Sequence, residues 1–138
     1  MDTNTKGKIT ESKILSYIIE QGYSVSIPFG DKDKYDQIWD INNHLLRIQI
    51  KTSRPIDENV SGIVFNCRTT YSRSTGTKTH HYTKDEIDYF ATFWDNKCYL
   101  IPVQECSDKK FLRFTSKQNQ PNISWAKDYE FQEVIKTI

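Results

Sequence analysis

The segment that most constrains the fold is YDQIWDINNHLLRIQIKT, residues 35–52, which has the pattern of a β-hairpin. Apolar and polar residues alternate along it, as in strands with one buried face. The central Asn42-Asn43 pair suits a two-residue turn because asparagine tolerates left-handed backbone angles. This turn predicts an antiparallel register with the following pairs: Ile41 with His44, Trp39 with Leu46, and Tyr35 with Ile50.

The other face of this hairpin carries polar side chains among apolar strands. The predicted register places Asp36 opposite Gln49, and Lys51 lies diagonally from Asp36 on the same face. Directly opposed residues have Cβ atoms roughly 5 Å apart. An acid, an amide and an amine are therefore predicted to meet on one face of the sheet.

A further acid lies on the core-facing side of a predicted helix. Residues 6–21 carry Ile14, Leu15, Ile18 and Ile19 at helical spacing, and Gly22 then favours a helix end. Glu11 falls within this apolar stripe. A carboxylate there loses hydration unless it is paired or binds a metal, so the position predicts Lys51 or a cation as its partner.

Each of these residues also has a purely structural interpretation. Taken alone, Asp36 is explained as a solvated acid beside a turn, and Lys51 as a strand residue with an exposed amine. Glu11 is explained as an acid favoured by the helix dipole. Because separate geometric arguments bring them together, a catalytic or metal site is the better interpretation. The predicted catalytic residues are Glu11, Asp36, Gln49 and Lys51, and the predicted metal ligands are Asp36, Glu11, Gln49 and Ile50.

The donor types indicate the chemistry of this site. Carboxylate and amide oxygens without a histidine or cysteine cluster suit Mg²⁺, which needs only one or two carboxylates beside water and phosphate. Such an ion polarises a phosphoryl oxygen and acidifies water, and a lysine offsets negative charge and helps to activate the nucleophile. The sequence therefore predicts phosphodiester hydrolysis, with Asp36 as the main ligand.

The order of helix Glu11, strand Asp36 and QIK at 49–51 resembles the PD-(D/E)xK nuclease superfamily. Tyr35 replaces the motif proline, and Gln49 replaces the motif acid, which predicts weaker metal binding and more reliance on Glu11 and substrate phosphate. Further segments resemble the group I intron-associated branch, in which this glutamine is familiar: GYSVSIPFGDKDKYDQIWD, LRIQIKT, DEIDYFATF, CYLIPV and NQPNISWAKDYE.

This resemblance covers about Lys6 to Glu130. It implies a homing endonuclease, a Mg²⁺-dependent enzyme that cuts double-stranded DNA at a long target in an intronless allele. It also implies an α/β fold with a restriction-endonuclease-like core, in which a mixed β-sheet is flanked by helices. Because one subunit has one active site, a double-strand break implies a homo-oligomer, either a dimer or a tetramer.

Length and composition are those of one globular domain. The chain has 138 residues, of which 36% are hydrophobic, and a single domain over 1–138 is expected. No apolar run approaches the roughly 18 residues of a membrane span, and the N-terminus lacks a signal-like apolar region, so a cytoplasmic, intracellular protein is expected. The three cysteines have no C-x-x-C spacing and are predicted to be small buried residues rather than disulfides or zinc ligands.

The net charge of +1 conceals two blocks without any acid, at 59–84 and 109–127. The Ser/Thr-rich stretch 69–83 is predicted to be an exposed loop, and residues from Trp125 onward a second helix. Basic blocks of this kind neutralise DNA phosphates, and Arg68 is a candidate base-reading residue, although solvated loops are an equal alternative. The predicted DNA-binding residues are Arg68, Arg73, Lys78, His80, Lys109, Lys110, Arg113, Lys117 and Asn119.

Three other functions fit parts of this pattern. The same core serves a Holliday-junction resolvase or a restriction-type nuclease. A DNA-binding module with a decayed site would explain Gln49. A globular protein with a structural ion-pair network would explain the polar cluster without any catalysis.

Overall fold

A computed structural model describes residues 1–30, 33–116 and 121–138. Helix α1 covers Thr3–Glu20 and begins at Asp2, whose carboxylate accepts the Thr5 N–H at 2.7 Å. Ten strands follow: β1 Ser24–Ser26, β2 Gln37–Ile41, β3 His44–Ile50, β4 Arg54–Pro55, β5 Gly62–Asn66, β6 Arg68–Arg73, β7 Gly76–His81, β8 Tyr89–Trp94, β9 Lys97–Pro102 and β10 Lys109–Arg113. Short helix α2 covers Phe131–Val134, between 3₁₀ turns at Ala126–Tyr129 and Ile135–Thr137.

The predicted hairpin is the centre of a five-stranded mixed sheet. Its strand order is β1-β2-β3-β8-β9, with β3 and β8 parallel and the other neighbours antiparallel. The predicted register is confirmed from Ile41–His44 to Gln37–Ile48. Asn42 and Asn43 have φ angles of 52° and 68°, which asparagine adopts more readily than most residues.

Helix α1 covers one face of this sheet. Ile14 and Ile18 are fully buried against Trp39 and Ile48, and Phe131 of α2 closes the same core. The predicted apolar stripe is only partly right. Leu15 is half-buried, whereas Ile19 is 55% exposed because it lies about 140° around the helix from Ile14.

A three-stranded sheet of order β10-β5-β4 covers the opposite face. Phe65 and Leu112 from this sheet are fully buried in a second core with Phe90 and Ile101. The central sheet is therefore apolar on both faces, as expected for a strand pair joined in parallel by a crossover. The three cysteines are free; Cys67 and Cys98 are buried as predicted, whereas Cys106 is only half-buried.

Two predicted elements differ from those observed. Residues 69–83 do not form a loop, because β6 and β7 pair from Arg68–His81 to Arg73–Gly76 in a two-stranded sheet that is largely exposed. The repeated threonines that suggested a loop also favour extended strands, and Gly76 allows the turn with φ of 121°. The C-terminal segment is a series of short helical turns rather than one helix. Within the described residues, no helix has the length and apolar character needed to cross a membrane.

Arg47 on β3 fixes the parallel alignment of β3 with β8. Its main-chain N–H donates to Asp88 Oδ2 at 2.8 Å, and its guanidinium forms an ion pair with Asp88 at 3.2 Å. The guanidinium also donates to the carbonyls of Asp85 at 2.7 Å and Lys84 at 2.9 Å. Asp88 thus joins the strand to the turn that precedes β8.

We expect Asp88→Ala to lower the free energy of unfolding by about 1–3 kcal/mol, because the Arg47 guanidinium and main-chain N–H lose a charged acceptor. Asp85→Ala is the matched control, since Asp85 hydrogen-bonds Arg47 only through its carbonyl and its charge raises the pKa of Arg47 less than that of Asp88 does. The control should cost less than about 0.5 kcal/mol. Urea denaturation of both variants measures the difference, and equal stabilities would contradict this role for Asp88.

Candidate active site

Asp36 is anchored to β3 by two hydrogen bonds. Its N–H donates to the Ile48 carbonyl at 2.8 Å, and its Oδ2 accepts the Ile50 N–H at 2.8 Å. Regular pairing ends at Gln37–Ile48, so the predicted pairs of Tyr35 with Ile50 and Asp36 with Gln49 lie beyond the ladder. The carboxylate thereby occupies a fixed position beside the β3 main chain instead of simply opposing Gln49.

The charge of Asp36 is constrained by its surroundings. Burial raises the pKa of this carboxyl, while the Ile50 N–H and the nearby charge of Lys51 lower the pKa in part. The net pKa of Asp36 is raised. The ionised form of Asp36 is therefore less stable than it would be in water, and a nearby cation would stabilise it.

Glu11 of α1 comes close enough to Asp36 for their charges to interact. Burial raises the pKa of the half-buried Glu11, and the charge of Asp36 raises it further. The cation that partly lowers the pKa of Glu11 is Lys8, one turn away on the same helix. The predicted partner Lys51 interacts with Asp36 instead.

The amine of Lys51 is held by residues of the β6–β7 hairpin, defined here as Arg68–His81. Nζ donates to the Arg68 carbonyl at 3.3 Å and the Thr69 hydroxyl at 3.5 Å. It also lies 5.5 Å from the centre of the Tyr82 ring, a cation–π distance. Burial lowers the pKa of Lys51, and the charge of Asp36 partly offsets this by raising it.

Gln49 and Ile50 complete the set predicted from the sequence. The half-buried Gln49 alternates with buried neighbours, so its side chain lies on the same face of β3 as Lys51. Ile50 has a buried apolar side chain, so only its carbonyl is chemically able to bind a metal. The two residues add neutral oxygen donors beside the carboxylate of Asp36.

The donor set fits a hard divalent cation. The two partly buried carboxylates of Glu11 and Asp36 repel each other, and they gain stabilisation when a cation neutralises their charge. No group of three or more His, Cys, Asp or Glu side chains arranged for metal binding occurs in residues 1–30, 33–116 and 121–138. Carboxylate, amide and carbonyl oxygens are donors that suit Mg²⁺, which needs only one or two carboxylates beside water and phosphate.

Two polar contacts that sequence reasoning missed hold α1 against the hairpin. Buried Gln37 donates from Nε2 to the Glu11 carbonyl at 3.2 Å and accepts the Trp39 indole N–H at 2.9 Å. The hydroxyls of Thr10 and Thr52 share a hydrogen bond of 2.9 Å. The sequence feature that could have identified Gln37 is an amide side chain at an inward-facing position of β2, next to Asp36.

Part of the predicted DNA-binding set is paired with acids. Arg68 contacts Asp108 at 3.3 Å, and His80 contacts Glu86 at 2.9 Å. Arg73 lies 5.1 Å from the Tyr71 ring centre, and Lys78 is paired with Tyr71 across the β6–β7 hairpin. Arg73 and Lys78 are exposed at the outer part of this hairpin, whereas Arg68 and His80 lie at its base.

The second predicted DNA-binding group lies on β10. Lys109, Lys110 and Arg113 line one surface pocket together with Asn122 and Ser124. Lys110 also donates to the Glu105 carbonyl at 3.4 Å and lies 5.2 Å from the Tyr129 ring centre. The predicted contacts Lys117 and Asn119 fall outside the described residues.

Comparisons with known proteins identify the family and the fold of this chain. Among curated proteins, no sequence matches the chain. A bacterial homing endonuclease, I-Ssp6803I, has a similar solved structure, with a TM-score of 0.80 and 21% sequence identity over 99% of this chain and 95% of that one. This likeness confirms the predicted α/β restriction-endonuclease-like fold. The family model for PD-(D/E)XK endonuclease matches residues 1–132, and the chain therefore belongs to the PD-(D/E)XK endonucleases.

Proposed function

We propose that this protein is a metal-dependent homing endonuclease that hydrolyses phosphodiester bonds of double-stranded DNA at a long target site. The observation that carries the proposal is the electrostatic grouping of Glu11, Asp36 and Lys51, which come from three distant stretches of chain. Family membership supports an endonuclease acting on DNA. The similarity to I-Ssp6803I supports the homing class.

In this proposal Asp36 and Glu11 hold Mg²⁺, with the Gln49 amide and the Ile50 carbonyl as further oxygen donors. When bound, the ion supplies Lewis-acid polarisation of the scissile phosphate and a lower pKa for a bound water. Asp36 is preorganised for binding because the Ile50 N–H fixes its Oδ2. Gln49 contributes no charge, so the two acids and the substrate phosphate provide the negative charge around the cation.

Lys51 contributes to the cleavage step through its position and its pKa. An ammonium has three N–H donors, two of which have acceptors in Arg68 and Thr69. We assign the third donor to an oxygen of the scissile phosphate, where it offsets the negative charge of the transition state. The lowered pKa makes the neutral amine more accessible than in an exposed lysine. The neutral amine accepts a proton from the attacking water, and the ammonium formed in that step has the third N–H that faces the phosphate.

The DNA duplex contacts the exposed basic residues in this proposal. Arg73 and Lys78 project from the β6–β7 hairpin, and Lys109, Lys110 and Arg113 form a second basic group on β10. Arg68 and His80 stabilise the base of the hairpin through their acidic partners, which makes them weaker candidates for direct contact. A symmetric homo-oligomer presents two active sites for a double-strand break.

Cleavage of a randomised duplex library with Mg²⁺, followed by sequencing of the ends, tests the proposed function. A long recurrent target in the cleaved population supports a homing endonuclease. Cleavage of four-way junctions alone would identify a resolvase, and short recurrent sites a restriction-type enzyme. Tight DNA binding without cleavage would identify a decayed module.

We expect Lys51→Ala and Asp36→Asn to fold normally and to cleave DNA at least about 100-fold more slowly, because each removes charge used in the cleavage step. Asp36→Asn retains an oxygen that accepts the Ile50 N–H. Asp40→Asn is the matched control, since Asp40 is exposed on β2. Single-turnover cleavage rates provide the measurement, and wild-type rates in either active-site variant would contradict the assignment.

Glu11→Gln is expected to raise the melting temperature of the metal-free protein at pH 7. The pKa of Glu11 is raised above 4.5, its ordinary value, so the ionised form destabilises the folded state. The difference in melting temperature between Glu11→Gln and wild type should shrink as the pH falls through the raised pKa of the folded state and then through 4.5, because Glu11 becomes neutral in both the folded and the unfolded protein. Thermal denaturation across this range measures the effect.

Addition of Mg²⁺ gives the second half of this experiment. The ion should raise the melting temperature of wild type more than that of Glu11→Gln, because the variant has lost one carboxylate ligand. Protons compete for that carboxylate, so the Mg²⁺ effect on wild type should decrease as the pH falls through the raised pKa. Equal Mg²⁺ effects on both proteins would contradict a ligand role for Glu11.

Lys78→Ala is expected to weaken DNA binding equally for all sequences and to reduce the slope of log K against log salt by roughly one. Lys136→Ala is the control, because Lys136 lies in the C-terminal turn and pairs with Glu133. Fluorescence anisotropy at several salt concentrations gives both slopes. An unchanged slope for Lys78→Ala would argue against this face of the hairpin as the phosphate contact.

A further inference from the structure

The active-site amine is held by a chain of polar contacts that the cleavage mechanism does not require. Lys51 Nζ donates to the Thr69 hydroxyl at 3.5 Å, and this hydroxyl shares a hydrogen bond of 2.6 Å with the Tyr82 hydroxyl. The Tyr82 ring also lies beneath the amine at 5.5 Å. Thr69 and Tyr82 therefore contact Lys51 and each other, which makes a closed set of three interactions.

The second hydrophobic core fixes the position of Tyr82, one of the three residues in this set. The Tyr82 ring packs edge-to-face on Phe90 with centroids 5.6 Å apart, and Phe90 is almost completely buried. The His80 ring also packs edge-to-face with Tyr82, with centroids 5.1 Å apart, and His80 contacts Glu86. Since Tyr82 cannot shift without moving the core, the position of the Thr69 hydroxyl is fixed as well.

A lysine needs such support to act reproducibly. Its ammonium is at the end of four rotatable methylene groups, so fixing it costs side-chain entropy. Two acceptors and an aromatic face select one arrangement before substrate arrives. Preorganisation of this kind affects the rate of the cleavage step more than ground-state binding.

We propose that Thr69 and Tyr82 are positioning residues, in which the Thr69 hydroxyl, held by Tyr82, fixes the Lys51 ammonium for the cleavage step. This inference rests on the proposed function, because it assigns a purpose to the position of Lys51. Thr69 lies on β6, the strand that carries Arg73 towards the exposed end of the hairpin. The strand that supports Lys51 therefore also carries a residue proposed to contact DNA.

Variants of Thr69 that differ by one group provide the test. Thr69→Val keeps the shape of the side chain and removes the hydroxyl, whereas Thr69→Ser keeps the hydroxyl. Thr70→Val is the matched control, because Thr70 is exposed and lies on the opposite face of β6. Tyr82→Phe removes the second hydroxyl while the ring remains over Lys51.

We expect Thr69→Val to lower kcat roughly 10- to 100-fold with little change in KM for the DNA duplex. Thr69→Ser should recover most of the rate, Tyr82→Phe should show a smaller loss of kcat, and Thr70→Val should match wild type. In a Lys51→Ala background, Thr69→Val should cause no further loss, because it acts through the absent amine. A wild-type kcat in Thr69→Val, or an additive loss in that background, would overturn the inference.

A second measurement does not depend on catalysis. Nuclear relaxation of the Lys51 ammonium nitrogen should report an ordered group in wild type and Thr70→Val and a mobile group in Thr69→Val. Failure of wild type to cleave any DNA with Mg²⁺ would overturn the proposed function alone, and the relaxation experiment would still decide the role of Thr69. Equal mobility of Lys51 in all three proteins would overturn the positioning role.

Discussion

The hydrogen bond from the Ile50 N–H to the Asp36 carboxylate is the interaction on which the rest of the site depends. It holds the acid at the end of the β2–β3 hairpin, beside the last residue of β3 and within reach of the charge of Lys51. Because the Asp36 N–H also donates to Ile48, the acid is fixed at two points of the main chain. A carboxylate fixed in this way binds a cation without having to be ordered first.

Burying the charged groups of this site costs free energy. Burial raises the pKa of both acids and lowers the pKa of Lys51, so each group is less stable in its charged form than it would be in water. Opposite charges on Asp36 and Lys51 compensate only part of this cost. Groups whose pKa values are shifted together at one point of a fold are typical of functional sites.

The hydrophobic cores place this site between two layers. Helix α1 brings Glu11 from one face of the sheet, with Gln37 and Thr10 as polar contacts among apolar neighbours. The β6–β7 hairpin brings Thr69 from the other face, with Tyr82 packed on Phe90. Residues from both layers thus meet at the end of β3, where main-chain pairing with β2 has ended.

Short-range patterns in the sequence determined the hairpin. The Asn42-Asn43 turn fixed the register, and the alternation of Leu46 to Lys51 fixed which side chains share a face. The amphipathic pattern of α1 also determined that Glu11 would be partly buried. These features depend on residues within a few positions of each other, for which turn geometry and strand periodicity are sufficient.

Tertiary structure alone decided what surrounds these residues. Lys51 contacts Thr69, which lies on a strand within the stretch predicted to be a loop, and the cation whose charge lowers the pKa of Glu11 is Lys8 rather than Lys51. Arg68 and His80, which are predicted to contact DNA, are paired in the folded protein with Asp108 and Glu86. These outcomes depend on how separate elements pack across the chain, and such packing is set by the summed burial of both cores rather than by any local sequence.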